Sequence, residues 1–218
     1  MYSSLSFSGT TLYLLPEKAI WIESYSSLFI ADLHFGKAAH FRKSGIPIPE
    51  PVHYNDLQVI KQLIERYSPT DLYVLGDLFH SDWNEQWELL NGFLAGFSKT
   101  KFHLVKGNHD VLSPFAYQQS LFQIHDAPVV LKNMFLTHEP AKKVPEGKLN
   151  LCGHIHPGVR LHGKGRQSLR ISCFHLSETH LILPAFGHFT GLSLVKKGPN
   201  DHIYGISGEK VIKILYQE

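Results

Sequence analysis

The chain has 218 residues, 43% of them apolar and 18% charged, which suits one well-buried globular domain spanning 1–218 and excludes a disordered protein. A formal net charge of only +2 excludes a bulk electrostatic drive toward nucleic acid, so such binding would need a local basic patch. Two cysteines, Cys152 and Cys173, are too few for a disulfide framework and fit buried, reduced thiols in a reducing compartment.

Met1 to Thr10 has no basic stretch ahead of an apolar core, and no apolar run nears the ~20 residues that span a bilayer. The expectation is a cytoplasmic protein with no membrane association. Leu12–Leu15 and Ile20–Glu23 flank Pro16-Glu17-Lys18 as a hairpin. Ser27–Ala31 is a short apolar strand that stops at Asp32. Between Pro51 and Tyr67, Val52, Leu57, Ile60, Leu63, Ile64 and Tyr67 recur at helical spacing, and Pro69 ends the helix. Asp71–Leu75 is the next strand, ending at Gly76-Asp77. A second helix runs from Trp83 to Phe97 with Trp83, Trp87, Leu90 and Leu94 on one face. Lys101–Val105 is a third strand, ending at Gly107-Asn108-His109-Asp110. Short β-type runs follow at 129–131, 134–137, 150–152, 159–161, 169–174, 181–183, 203–206 and 211–215. The pattern predicts an α/β fold of four layers, an α/β/β/α sandwich of two mixed sheets flanked by helices, with no domain boundary.

Fifteen histidines are unusual, and their positions matter more than their number. A lone His-x-His or Gly-Asp is ordinarily a turn or a cap. Here Asp32-Leu33-His34, Gly76-Asp77, Gly107-Asn108, Thr137-His138 and Gly153-His154-Ile155-His156 all fall at strand ends, where open α/β sheets place ligands. Asp32 and His34, two apart, share one side if the backbone stays extended. Asp77 has two carboxylate oxygens and can bridge two cations, and Asn108 adds a neutral amide oxygen. His138, His154 and His156 complete the donor set. Two divalent cations bring about four positive charges, of which two aspartates and a hydroxide cancel roughly three. Such a centre attracts a phosphate oxygen and keeps a nucleophile deprotonated near neutral pH. Mixed nitrogen and oxygen ligands without thiolate suit manganese, iron or zinc better than magnesium or calcium. His109 is distinct: it fits a general acid for the leaving oxygen, with Asp110 placed to orient its ring.

These motifs, from Ser27 to Pro157, resemble those of the calcineurin-like metallophosphoesterase superfamily. The resemblance implies one ion on Asp32, His34, Asp77 and His156 and a second on Asp77, Asn108, His138 and His154. Further stretches are similar to one bacterial subgroup, the ligase-associated DNA damage response endonucleases. They are Leu14 to Ala19, Ala31 to Lys43, Gly76 to Ser81, Leu183 to Gly187 and Phe189-Thr190-Gly191. That likeness implies manganese-dependent phosphodiesterase chemistry on DNA, a repair role, and association with a DNA ligase, a helicase and an exonuclease. The protein-phosphatase branch is less similar, because Leu78-Phe79-His80-Ser81 lacks its Asp-Arg pair. On this footing Arg42 and Lys43, and Lys164, Arg166 and Arg170, would contact DNA phosphates from the cleft rim. A solvated loop is the plainer reading of both segments. Phe41 and Phe189 are core residues or base-stacking platforms, and His40, His80 and His188 are further cleft candidates. Relatives with this fold often associate, which makes a homodimer one expectation. A nucleotide, a nucleotide-sugar pyrophosphate or a phosphoprotein is the alternative substrate. A non-catalytic scaffold would be expected to lack ligands, and none is missing.

Overall fold

The computed structural model describes residues 1–37, 52–79, 85–163, 165, 167–188 and 190–215. The chain opens with antiparallel neighbours β1 (Ser3–Phe7), β2 (Thr10–Leu14), β3 (Ile20–Ile22) and β4 (Ser27–Ile30). β5 (Asp71–Leu75), β6 (Lys101–Val105) and β7 (Phe122–His125) then join in sequence order, each parallel to the one before. Parallel neighbours need crossover connections. The helices α1 (Val52–Tyr67), α2 (Glu85–Leu94) and α3 (Pro114–Gln118) lie in those connections.

The central strands are buried on both faces, so they read as near-continuous apolar runs. Leu28, Ile30, Leu72, Val74, Phe102 and Leu104 pack with Leu57, Ile60, Leu63 and Ile64 of α1 and with Trp87, Leu90 and Leu94 of α2. The alternate residues Phe29, Tyr73, Leu75 and Val105 join a different cluster, the core between the two sheets.

The second sheet is built from β8 (Val129–Leu131), β9 (Met134–Leu136), β10 (Leu149–Cys152), β11 (Pro157–His162), β12 (Ser168–Leu176), β13 (His180–Ile182) and β14 (Ser193–Leu194), in the order β14-β11-β12-β13-β10-β9-β8. β15 (His202–Ser207) pairs with β12, and β16 (Lys210–Lys213) pairs with β15. Met134, Leu136, Leu149, Leu151, Phe174, Leu181 and Leu183 supply this sheet's share of the core between the sheets. On its other face Val159, Cys173 and Ile203 form a small cluster with Leu161, Ile171, Val195 and Ile214. Two mixed sheets therefore pack face to face with helices outside, as the sequence implies. Among the described residues the helices all pack on the first sheet, and no helix is long and apolar enough to cross a membrane. Cys152 and Cys173 are free and buried, and burial raises both thiol pKa values.

The expected hairpin is β2–β3, closed by the Leu15 N–H donating to the Ala19 carbonyl at 2.8 Å. The second expected helix is described from Glu85 to Leu94. The structure adds β1, β7, β14 and α3 to the elements expected from the sequence. α3 has a readable start: Ser113 Oγ accepts from the Ala116 N–H at 3.3 Å, and Pro114 opens the first turn.

Candidate active site

The parallel strands β4, β5 and β6 of the first sheet, and β9, β10 and β13 of the second, end in loops that bond to one another. The Asp32 N–H donates to the Gly76 carbonyl (3.1 Å), and the His34 N–H to that of Asp77 (2.9 Å). Across the second sheet the Gly153 N–H donates to the His138 carbonyl (2.9 Å). The segment after β13 ties the two sheets together, with Gly187 N–H donating to the Asp32 carbonyl at 3.2 Å. The apolar strands stop where these polar loops begin, so the candidate ligands sit at a common edge.

The backbone at Asp32 and His34 is not extended, contrary to the sequence expectation. Asp32 (φ 54°), His34 (φ 49°), Asp77 (φ 50°), His154 (φ 69°) and His156 (φ 52°) all adopt the left-handed region. Asp and His visit this region more readily than branched residues do, at roughly 1–2 kcal/mol each. The reversals turn the chain so that His34 and Phe35 bond the Asp77 and Leu78 carbonyls, which delivers the side chains to one point.

That point has two halves. In one, His34 Nε2 lies 3.4 Å from His156 Nε2, and His156 Nε2 lies 3.4 Å from Asp32 Oδ1. In the other, His138 Nε2 lies 3.2 Å from Asn108 Oδ1 and 3.1 Å from His154 Nδ1. Asp77 stands between them, with Oδ2 3.8 Å from His34 Nε2 and Oδ1 3.4 Å from His138 Nε2. Atoms that share a cation through bonds of about 2.1 Å lie roughly 3.0–3.5 Å apart at tetrahedral or octahedral angles.

The donor chemistry fits cations. His138 Nδ1 donates to the Leu75 carbonyl at 3.0 Å, which leaves a lone pair on Nε2 in the neutral ring. That lone pair faces a buried Asp77 carboxylate oxygen, a repulsive meeting unless a cation lies between. Asp32, His34 and His156 can also share one ion by distance alone, as can Asp32, Asp77 and His138. The second grouping is the weaker one, since the His138 nitrogen 3.9 Å from Asp32 is the one committed to Leu75.

The glycines beside the candidate ligands leave no room for a side chain. A Cβ at Gly76 would lie 2.2 Å from His138 Nδ1, at Gly107 2.3 Å from Asp77 Oδ1, and at Gly153 2.4 Å from Asp32 Oδ2. Gly76 also has φ +77°. A Gly76→Ala substitution should therefore displace the His138 ring and lower stability by roughly 1–3 kcal/mol. Uptake of divalent metal should fall with it. Thermal unfolding and metal stoichiometry check this, and wild-type values in both would show that the loop relaxes without moving the ring.

Asp110 differs from its sequence expectation. Its Oδ1 accepts from the Leu78 and Phe79 N–H groups (2.9 and 3.1 Å) and its Oδ2 from Gly107 N–H (2.8 Å). The carboxylate ties the Gly76 and Gly107 loops together, and its bonds go to backbone amides and not to the His109 ring. Burial raises its pKa to about 6, against the lowering effect of those amides. His109 is exposed and held by its own N–H, which donates to Asp77 Oδ1 at 3.0 Å. Its ring centroid lies 5.9 Å from that of His34. Arg42, Lys43, Lys164 and Arg166, with His40, Phe41, His80 and Phe189, fall outside the described residues.

Two features escaped the sequence reading. One is the partner of the cleft candidate His188, which is half-exposed one residue beyond the Gly187 contact and bonds through Nδ1 to the buried Asp56 of α1. A cleft of about 720 Å³ also opens beside Asn108 and His138, lined by His125, Phe135, Lys142 and Lys143 among others. Neither carries a local sequence signal, because the partners come from distant segments.

The family model for calcineurin-like phosphoesterases matches residues 25–182. No curated protein matches the chain. Among solved structures, the nuclease MPE of Pseudomonas putida is similar over 98% of this chain and 100% of that one, with 26% identity and a TM-score of 0.79. Yfce, a phosphoesterase from E. coli, is 18% identical over 86% of this chain and 97% of its own, at a TM-score of 0.44, too distant to carry an argument. Strand ends that bring candidate ligands together, a donor set suited to divalent cations and the match over most of its length agree: this chain belongs to the calcineurin-like phosphoesterase family and is a metal-dependent phosphoesterase.

Proposed function

We propose that this protein is a phosphodiesterase that cuts DNA internally, using two divalent cations, with manganese the best fit, in a bacterial repair pathway. The observation that carries the reading is Asp77 standing between two groups of side chains, one oxygen toward each. Similarity to a nuclease over essentially the whole of both chains supports the polynucleotide substrate. Bound cations would polarise the phosphate and supply a deprotonated nucleophile. The chain's own residues do the rest. Asp32, His34 and His156 would hold one ion, Asn108, His138 and His154 the other, and Asp77 both. His109 is exposed beside them and would protonate the leaving oxygen. Arg42, Lys43, Lys164 and Arg166 would contact phosphates. Partners would be a DNA ligase, a helicase and an exonuclease, the setting the cytoplasm, and a homodimer a working assembly.

The test is direct. With manganese, the purified protein should nick circular single-stranded DNA, and a chelator should stop it. Release of phosphate from nucleotides or phosphopeptides, with the DNA circle intact, would move the reading to a small-molecule or phosphoprotein substrate.

A further inference from the structure

The hairpin β11–β12 starts one residue after His156, and its two faces differ in character. Val159, Leu161, Ile171 and Cys173 pack together on the outer face of the second sheet. Phe174 of the same β12 belongs to the core between the sheets. Side chains alternate along a strand, so Ser172, Arg170 and Ser168 share the inner face with Phe174. The register places Gly158 opposite Ser172, Arg160 opposite Arg170 and His162 opposite Ser168. The inner face thus runs from core to a pair of exposed arginines set directly across from one another.

Like charges directly opposite on one face repel. Among the described residues neither arginine has an acidic partner. The inner face also begins at the candidate active site. Leu192 lies over Gly158, where a Cβ would come within 3.1 Å of it, and the Ser193 N–H donates to the His156 carbonyl at 2.9 Å. Arg160 is four residues beyond His156 along an extended strand, a path of roughly 13 Å.

We infer that Arg160 and Arg170 form a phosphate clamp, on the inner face of this arm, that grips a polynucleotide strand a few nucleotides from the bond being cut. The clamp rests on the phosphodiesterase reading and assigns the substrate's distal contact. It recognises backbone charge and not base sequence, since guanidinium forks match phosphate oxygens.

The test is the double variant Arg160→Ala/Arg170→Ala with a single-stranded thymidine oligonucleotide and manganese. KM should rise about tenfold or more at physiological salt while kcat changes less than about twofold. The slope of log(kcat/KM) against log salt should become shallower by about 1.4, the value for two lost phosphate contacts on a single strand. Arg160→Lys/Arg170→Lys should recover most of that slope, which a merely structural role would not. If the wild type leaves the oligonucleotide uncut, the parent reading and the clamp both fall. If the wild type cuts it and the alanine variant keeps the wild-type KM and salt slope, the clamp alone is overturned.

Discussion

Asp77→Asn is expected to lower phosphodiester hydrolysis by about a thousandfold or more and to reduce the bound metal below the wild-type stoichiometry. The size follows from position. Asp77 is buried, and its two oxygens face imidazole nitrogens on opposite sides, 3.8 Å from His34 and 3.4 Å from His138. An amide of the same shape keeps one oxygen, loses the negative charge and turns an N–H pair toward one half of the site. A thousandfold loss corresponds to about 4 kcal/mol of transition-state stabilisation, within the several kcal/mol that a polarising cation supplies. The fold should survive, because asparagine keeps an Oδ1 acceptor for the His109 N–H and removes a like charge from beside the buried Asp110. Metal analysis, turnover and thermal unfolding in chelator separate the effects. A variant with wild-type metal content and turnover would remove Asp77 from the centre of the site.

The sequence made much of this site legible, and the limits were physical. Asp32, Asp77 and Asn108 follow strands buried on both faces, and such strands announce themselves as short apolar runs that stop abruptly. The ligand types could therefore be placed at strand ends without a structure. Their backbone could not. No local rule puts His34, His154 and His156 in the left-handed region, where distant segments hold the chain: the His34 N–H donates to the Asp77 carbonyl, the His154 N–H to the Asp32 carboxylate, and the His156 carbonyl accepts from the Ser193 N–H. Asp110 shows a second limit. Adjacency in the chain suggested His109 as its partner, but its carboxylate reaches the amides of Leu78 and Phe79, about thirty positions away. β1 offers only Leu5 and Phe7 as an alternating pair, and β7 only Phe122 and Ile124, too little for a periodic signal. α3 spans barely more than one turn, so only its Ser113-Pro114 start was open to reading.

His109→Ala should lower kcat on DNA by about 10²–10⁴-fold, the usual range for removing a general acid. The loss should depend on the leaving group. An alkoxide leaving from a sugar needs a proton as the bond breaks, whereas a resonance-stabilised aryloxide departs with little help. An activated aryl phosphodiester should therefore be hydrolysed by the variant much closer to the wild-type rate. The structure favours such a clean separation. The imidazole is exposed, so truncating it opens no cavity in the core. The anchoring bond to Asp77 Oδ1 comes from the His109 backbone N–H, which alanine retains. Metal binding should accordingly stay at wild-type stoichiometry, in contrast to the Asp77 variant. Equal losses on both substrates with metal retained would mean that His109 orients or binds the phosphate without delivering a proton. Full activity on DNA would take it out of the chemistry, and the proton donor would then have to be sought among the other histidines at the rim, beginning with His188 and its buried partner Asp56.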